Sequence, residues 1–486
     1  MAMKTVPNLL LAAILALAAL FLNAHSREPV ASASTAPSLQ VKVDPRVELF
    51  SLIFRLAGNP EYSQGKVESY TQDADRQFGS FRNHAVVSLA RELRRTRGVS
   101  YDAVMSLAVH LKDAEGLQLA APLEPWPEDL DQRWKPESVN QFLAAARQWV
   151  REAGFKQFLQ AHQKLYETTA SRMQAMLEKS AHLEWYQSYF GQRPGAKFTA
   201  VPALLNGGSC YGSRCRRATG EEDLYCVLGV WKTDSEGLPE FTSDMVGTVV
   251  HEFCHSFANP VIARHESELS AAGERIFRHV ARQMRSQAYG NAGTMLRESL
   301  VRACTVRFHE QFDGSDAARR AAQSEASRGF AWTSDLSRLL GEYEAQRHKY
   351  PTLDSFAPRL AEFFTKYAED FDKKQTALAA KRPTVVSLTP ANGAEDVAPD
   401  LSEIRVVFDR PMRDRSWAMC GGGPHYPETP GKPKYDAACT TWTAPVKLKP
   451  NWSYEFWLNA GQFDSFRSAE GVPLESVHVT FKTAAE

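Results

Sequence analysis

The stretch Thr248-Val249-Val250-His251-Glu252-Phe253-Cys254-His255-Ser256-Phe257 decides how the rest of this chain is interpreted. It contains the pattern His-Glu-x-x-His, which in a helix places both imidazoles one turn apart on the same face. Apolar side chains fill the opposite arc, where they can pack on a core: Val246, Val249, Val250, Phe253 and Phe257. We therefore predict an amphipathic helix with Ser243 or Asp244 as its N-cap and Asn259-Pro260 as its stop signal.

Two histidines at this spacing, with a glutamate directly after the first, have the chemistry of a zinc site. The imidazoles of His251 and His255 can bind the metal, and the carboxylate of Glu252 can reach a water molecule on it. The alternative interpretation is an exposed polar helix face that binds nothing. Because the surrounding residues also have helical periodicity, we predict Zn²⁺ here.

The composition limits the choice of partners. The 486 residues include 57 basic and 57 acidic side chains, so the formal net charge is zero. This balance gives no electrostatic reason to expect nucleic acid or an anionic membrane as partner. Hydrophobic residues make up 43% of the chain and aromatic residues 10%, as in ordinary globular proteins. The length allows two or three domains.

The N-terminal segment has the pattern of a secretory signal peptide. Lys4 precedes an apolar run from Leu9 to Leu22, and small residues follow at Ala24 and at Ala31-Ser32-Ala33. We assign residues 1–33 to the signal and its cleavage region and residues 34–40 to a linker. A retained membrane anchor is the alternative, although the run is short for a span of about 20 residues. Export to the periplasm, the cell surface or the medium is therefore expected.

Export permits disulfide bonds. The chain has seven cysteines: Cys210, Cys215, Cys226, Cys254, Cys304, Cys420 and Cys439. Cys420 and Cys439 stand apart from the others and are the easiest pair to propose. One further pair is expected within the group that begins at Cys210, with its connectivity left open. Cys254 lies between the two histidines and would point away from the metal.

The body of the chain is predicted to be α+β. Helical periodicity dominates, with helices expected at 47–58, 78–93 and 101–111, through 139–182 and from 264 to 367. Strands are expected at 197–205 and 224–231, and a short one at 41–43. Since two of these strands come shortly before the His-Glu-x-x-His helix, we expect a small sheet beside that helix. The edge of such a sheet could hold an extended peptide.

Beyond Lys381-Arg382-Pro383 the pattern changes to short strands between turns, which predicts a β-sandwich. The strand candidates are 385–388, 404–408, 454–458 and 477–481. The predicted boundaries are therefore 41–382 for the mainly helical domain and 383–486 for the sandwich.

Two known families resemble these segments. Val43-Asp44-Pro45-Arg46-Val47-Glu48-Leu49, the segment from His251 to Pro260, and Arg297-Glu298-Ser299-Leu300-Val301-Arg302-Ala303 together resemble the DUF4932 family, over about residues 40–380. This resemblance implies an exported, zincin-like metallopeptidase of the gluzincin type without an assigned substrate. The segments 386–393 and 407–412 resemble bacterial Ig-like domains of the SbsA type, which are appended to many surface and secreted proteins. That resemblance implies association with the cell surface or cell wall and no catalysis.

A catalytic zinc ion needs a third protein ligand. The metzincin pattern is absent, because Ala258 and Val261 stand where it requires glycine and histidine. A gluzincin takes a later glutamate, and the candidates are Glu266, Glu268, Glu274 and Glu298. Glu298 lies off the centre of the apolar face of its helix, which suits a cleft as well as solvent. The resemblance to DUF4932 favours Glu298.

The expected reaction is hydrolysis of a peptide or protein substrate, with Glu252 as the general base. Tyr289 and Arg302 are candidate donors to the developing oxyanion. The alternative interpretation is that they have no catalytic role, Tyr289 being an ordinary interior tyrosine and Arg302 an ordinary surface arginine. Two other functions stay open: a catalytically inactive zincin-like binding protein, and a zinc hydrolase acting on a cell-wall amide. Neither Gly-x-Ser-x-Gly nor a catalytic cysteine is indicated.

Overall fold

The computed structural model describes residues 38–461 and 463–485. The predicted signal peptide and nearly all of the predicted linker lie outside these residues. The chain divides into two compact units. One comprises the described part of Met1–Gly273 together with Val280–Phe363, and the other comprises Glu274–His279 together with the described part of Phe364–Glu486. Within the described ranges, no helix combines the length and the hydrophobicity that crossing a membrane requires.

The first unit begins with a short strand and a series of helices. Their bounds are β1 Leu39–Val41, α1 Pro45–Leu56, α2 Glu68–Phe78, α3 Ala85–Arg97, α4 Asp102–Val109, α5 Pro136–Glu152, α6 Phe155–Ala161, α7 Gln163–Leu177 and α8 Leu183–Phe190. Aromatic side chains fill the core between α1 and α5: the Phe142 ring centroid lies 5.4 Å from Phe50 and 5.8 Å from Phe54. Nearly all of α1 is buried, so this helix lies inside the hydrophobic core.

Two stretches with predicted helical periodicity are interrupted in the structure. The helix expected at 78–93 begins only at Ala85, because Gly79–Asn83 forms a 3-10 helix and the His84 side chain then caps the start of α3. The helical patterns expected through 139–182 are confirmed as the three helices α5, α6 and α7, and Gly154, which has a left-handed backbone with φ of 68°, separates the first two. Such a residue ends a right-handed helix.

A four-stranded sheet follows, in the order β1-β2-β4-β3. The remaining bounds are β2 Lys197–Ala203, β3 Cys210–Arg216 and β4 Glu222–Gly229. The predicted strands at 197–205 and 224–231 are confirmed as β2 and β4, which pair in parallel. β3 was not predicted from the sequence; it pairs antiparallel with β4 and forms an edge of the sheet. A short hairpin, β5 Lys232–Thr233 with β6 Pro239–Glu240, leads to the next helix.

The remaining helices are α9 Val246–Arg264, α10 Glu266–Arg285, α11 Ala292–Phe312, α12 Ser315–Ser327, α13 Thr333–Ala345 and α14 Ala357–Ala380. The predicted His-Glu-x-x-His helix is confirmed as α9, but both of its predicted ends are wrong. Ser243–Met245 forms a 3-10 turn, so Met245 stands at the N-cap in place of Ser243 or Asp244, and the helix continues through Pro260. Proline removes one hydrogen bond from the helix, at a cost of about 3 kcal/mol. Phe257 before it and Val261 and Ile262 after it are all buried, and their packing keeps the helix continuous.

The second unit contains a β-sandwich. Its sheets have the orders β10-β13-β14-β8 and β11-β12-β9-β7. The bounds are β7 Val385–Thr389, β8 Ala394–Val397, β9 Glu403–Phe408, β10 Met419–Cys420, β11 Lys434–Tyr435, β12 Thr441–Pro445, β13 Ser453–Leu458 and β14 Val477–Thr483. A shared core that includes Trp442, Phe456 and Phe466 lies between the sheets. The four predicted strands are confirmed as β7, β9, β13 and β14.

The expected disulfide bonds are absent, since all seven cysteines, which lie within the described residues, are free thiols. Cys420 belongs to β10 in one sheet of the sandwich, whereas Cys439 precedes β12 in the other sheet. In the first unit, Cys226 lies opposite Gly212 and Cys215 lies opposite Asp223. A disulfide bond of normal geometry between the two strands would need a cysteine of β3 close to Cys226. Neither cysteine of β3 lies directly opposite Cys226.

A buried carboxyl group connects α1 to the sheet. Glu48 accepts a hydrogen bond from the backbone N–H of Leu204, just after β2, at 3.0 Å and another from the Tyr70 hydroxyl at 2.8 Å. Burial raises the pKa of Glu48 to about 7, although both hydrogen bonds act in the opposite direction. Between the ordinary pKa of a glutamate and a pH of about 7, Glu48 is therefore protonated in the folded chain and ionised in the unfolded chain.

We predict that the fold becomes less stable as the pH rises from about 4.5 to 7, because the stabilisation that comes from the protonated Glu48 is lost. Because the folded pKa exceeds the unfolded one, the stabilisation is complete at low pH and is lost through this window, by about 3 kcal/mol in total. Glu48→Gln stays neutral and should lack this loss. The measurement is the free energy of unfolding in urea at pH 5 and pH 8, with the exposed Glu92→Gln as control. Equal pH dependence in all three proteins would contradict the assignment.

Candidate metal centre

The two histidines of α9 point at a common position. Their Nε2 atoms are 3.2 Å apart, and their rings are nearly perpendicular, with centroids separated by 4.8 Å. The spacing of four residues along one helix produces this convergence, because it returns the side chains to the same face. Both side chains are mostly buried but still reach solvent, with 17% of His251 and 13% of His255 exposed.

Glu298 enters the same position from α11. Its Oε2 lies 3.5 Å from His251 Nε2, and its Oε1 lies 3.6 Å from His255 Nε2. In a tetrahedral site with zinc bonds of about 2.0–2.1 Å, ligand atoms are about 3.3–3.4 Å apart. The distances between the two Nε2 atoms, and from each Nε2 atom to its nearer Glu298 oxygen, are 3.2, 3.5 and 3.6 Å, which are close to this distance between ligand atoms. Among the described residues, His251, His255 and Glu298 are the one group that could hold a metal ion in this way.

The other candidate ligands lie elsewhere. Glu266, Glu268 and Glu274 are on α10, all with exposed side chains. The Glu268 carboxylate accepts a hydrogen bond from Ser267 instead of facing the histidines. The structure therefore brings Glu298, and none of these three glutamates, to the two imidazoles.

Glu252 is buried beside the three converging groups. Its Oε2 is 3.9 Å from His255 Nε2, and 9% of its side chain is exposed. Burial raises the pKa of Glu252 above that of an ordinary glutamate, with nearby Glu298 adding to the effect and the two histidines and a hydrogen bond from the Gly212 backbone opposing it. The carboxyl group is thus close enough to the site to exchange a proton with a molecule bound there.

Gly212 allows β3 to approach α9 closely. A Cβ atom at this position would lie 2.0 Å from the carbonyl oxygen of Glu252 and 3.0 Å from the Cβ of His255. Only a residue without a side chain fits between the strand and the helix. Sequence reasoning missed this position because β3 itself was not predicted. The Cys-Tyr-Gly sequence of the strand was the available signal.

The orientation of His255 has a further support. Its Nδ1 lies 3.3 Å from Oδ1 of Asn259, one turn further along α9. A proton on Nδ1, donated to that amide oxygen, leaves the Nε2 lone pair directed at the site. Asn259, which the sequence indicated only as part of a stop signal, therefore helps to orient the His255 ring.

Arg302 and Tyr289 lie next to Glu298. Arg302 Nη2 donates to Glu298 Oε2 at 3.0 Å and to the Tyr289 hydroxyl at 2.8 Å. Burial would raise the pKa of the Glu298 carboxyl, but His255, His251 and Arg302 together hold it well below its usual range. Glu298 is therefore an anion. Arg302 is buried and turned towards this carboxylate, whereas Tyr289 is half-buried.

Comparisons with known proteins identify a family and little else. No curated protein matches the chain. Domains 1–6 of the surface layer protein SbsC share 14% identity over 49% of this chain and 33% of that one, with a TM-score of 0.16. The crystal structure of the S-layer protein rSbsC(31-844) shares 13% identity over 82% of this chain and 45% of that one, also with a TM-score of 0.16.

The chain thus spans less than half of either SbsC structure, and such scores support no conclusion about its fold. Residues 379–483 match the bacterial Ig-like domain Big_5. Residues 39–363 match a domain of unknown function, DUF4932, over more than half of the chain. This chain is therefore a member of the DUF4932 family that also carries a bacterial Ig-like domain.

Proposed function

We propose that this chain is an exported, zincin-like metallopeptidase that hydrolyses peptide bonds with a water molecule activated at zinc. The observation that carries the proposal is the convergence of His251, His255 and Glu298, with the carboxyl group of Glu252 beside them. The two histidines and Glu252 come from one helix and Glu298 comes from another, which is the arrangement expected of a gluzincin.

The donor set suits zinc. Two imidazole nitrogens and one carboxylate oxygen are usual ligands of catalytic zinc, which keeps its fourth position for water or substrate. The charges favour a cation as well, because Glu298 and Glu252 bring two carboxylates into a buried region against the single guanidinium of Arg302. A zinc ion would supply a Lewis acid that polarises the substrate carbonyl and lowers the pKa of bound water towards about 7.

Glu252 is proposed as the proton carrier. Its carboxylate accepts a proton from the attacking water and delivers it to the nitrogen of the leaving amine. A raised pKa suits this role, since the group must take up and release a proton near neutral pH.

Tyr289 is proposed as the donor to the oxyanion. Its hydroxyl accepts a hydrogen bond from Arg302, so its own proton stays available for a substrate oxygen. Burial, together with nearby Glu298, raises the pKa of Tyr289 and keeps the phenol protonated. Arg302 is less suited to this role, because its two terminal nitrogens, Nη1 and Nη2, already donate to Glu325, Glu298 and Tyr289.

The sheet offers a place for an extended substrate. Within the described residues, β3 pairs with another strand on one side only and packs beside α9. A peptide in extended conformation can add to such an edge. Export through the N-terminal segment and attachment to the cell surface through the Ig-like domain belong to the same proposal.

We predict that Glu298→Ala abolishes stoichiometric zinc binding, because two imidazoles alone form a weak site. The measurement is the zinc content of purified protein after dialysis against a weak chelator. Glu268→Ala, on the exposed face of α10, is the control and should retain one zinc ion per chain. Equal zinc content in the two variants would remove Glu298 from the ligand set.

We predict that Glu252→Gln retains zinc and the fold but loses turnover by about 10²–10⁴-fold, because the amide accepts no proton. The substrates are casein and a mixed peptide library analysed by mass spectrometry, and cell-wall fragments are assayed in parallel. Zinc-loaded wild type that cleaves only the cell-wall fragments would replace the peptidase with an amide hydrolase. Zinc-loaded wild type that cleaves neither would favour a binding protein.

For Tyr289→Phe we predict a fall in kcat of about 10²-fold with little change in KM, because the lost hydrogen bond forms mainly in the transition state. Zinc content should equal that of wild type. An unchanged kcat would show that another group stabilises the oxyanion.

A further inference from the structure

Arg302 lies one helical turn beyond Glu298 on α11, where its side chain is only 6% exposed. Burying a guanidinium is unfavourable unless charged partners surround it. Arg302 has two such partners: Glu298 on its own helix and Glu325 on α12, to which Nη1 donates. The Phe330 ring covers it, with the guanidinium carbon 4.4 Å from the ring centroid. Its position is therefore fixed from several sides.

A single nitrogen of this group contacts two residues of the proposed active site. Nη2 donates to Oε2 of Glu298 at 3.0 Å and to the hydroxyl of Tyr289 at 2.8 Å. Each oxygen of Glu298 also lies near an imidazole nitrogen, Oε2 at 3.5 Å from His251 Nε2 and Oε1 at 3.6 Å from His255 Nε2, but Oε1 has no hydrogen bond from Arg302. The two oxygens of Glu298 are thus in different environments.

We infer that Arg302 is a positioning residue that holds Glu298 by Oε2, so that Oε1 is the oxygen presented to the metal, and that the same nitrogen fixes Tyr289. The inference rests on the proposed function for the identity of the metal. A carboxylate restrained in this way binds through one oxygen and leaves room for a water molecule. A carboxylate without this restraint is free to bind through both oxygens and to fill the open position.

A purely structural role gives a different expectation. If Arg302 served only to join α11 to α12 through Glu325, its loss would lower stability and leave metal binding intact. Arg307 offers a matched control, because this arginine of α11 is also mostly buried and pairs through Nε with Glu344 at 2.8 Å. Glu344 lies on α13. Within the part of the chain that the structure describes, no hydrogen bond or ion pair joins Arg307 to Glu298.

The experiment compares wild type with Arg302→Met, Arg302→Lys and Arg307→Met in the full chain. Zinc affinity is measured by competition with a chromophoric chelator, and thermal unfolding is recorded for each protein. Arg302→Met should bind zinc about 10–100-fold more weakly, as is usual when a group that orients a ligand is removed. Arg302→Lys keeps one charged donor and should lie between Arg302→Met and wild type. Arg307→Met should lose stability and keep wild-type affinity.

Cobalt substitution supplies a second measurement, because the visible absorption of cobalt weakens as its coordination number rises. The Arg302→Met protein should show weaker bands than wild type, and Arg307→Met should show unchanged bands. If Arg302→Met does not fold, the same two measurements on Arg302→Lys decide the question.

Equal zinc affinity and equal cobalt spectra in the Arg302 and Arg307 variants would overturn the inference. Wild-type protein that binds neither metal would overturn both the inference and the proposed function. Wild-type protein that binds zinc without hydrolysing any substrate would overturn the proposed peptidase activity alone. The zinc affinities of wild type and the variants would still test the role of Arg302.

Discussion

The packing of α11 against α9 is the constraint on which the site depends. His251 and His255 converge because of their spacing within one helix, but Glu298 reaches them only because the second helix passes alongside. The ionised carboxylate of Glu298 then lies among two imidazoles and the guanidinium of Arg302. Without this contact between helices, the histidine pair would be a two-ligand site on a helix surface.

The sheet controls the other side of the histidines. β3 lies so close to α9 that a Cβ atom at position 212 would collide with the carbonyl oxygen of Glu252 and press on the Cβ of His255. Burial raises the pKa of the Glu252 carboxyl group, and a hydrogen bond from the Gly212 backbone opposes this rise. The distance between strand and helix therefore influences the acid–base chemistry proposed for that residue.

The sequence predicted local features well and long-range ones poorly. The α9 helix, strands β2 and β4, and the change to a sandwich follow from periodicities within single segments. The position of Glu298 could not be derived in this way. Most of α11 is buried, so a helical wheel finds no clear solvent face to separate a ligand from a surface glutamate. The resemblance to a family supplied what periodicity did not.

Other differences have equally physical causes. The helix continues through Pro260 because buried neighbours on both sides outweigh the missing hydrogen bond, which is a tertiary effect. The disulfide bonds expected from the spacing of the cysteines are absent because chain proximity does not determine which strands pair. Strand β3 was missed because its small and charged residues carry little hydrophobic signal.

The contact at Gly212 also bears on how related chains can be recognised. Most positions on an edge strand tolerate replacement, because one side of the strand is open. Here even a methyl group would meet the helix backbone, so replacement of this glycine is strongly disfavoured. A glycine in the strand upstream of His-Glu-x-x-His would then serve as a fingerprint for chains built on the same plan, independent of overall similarity.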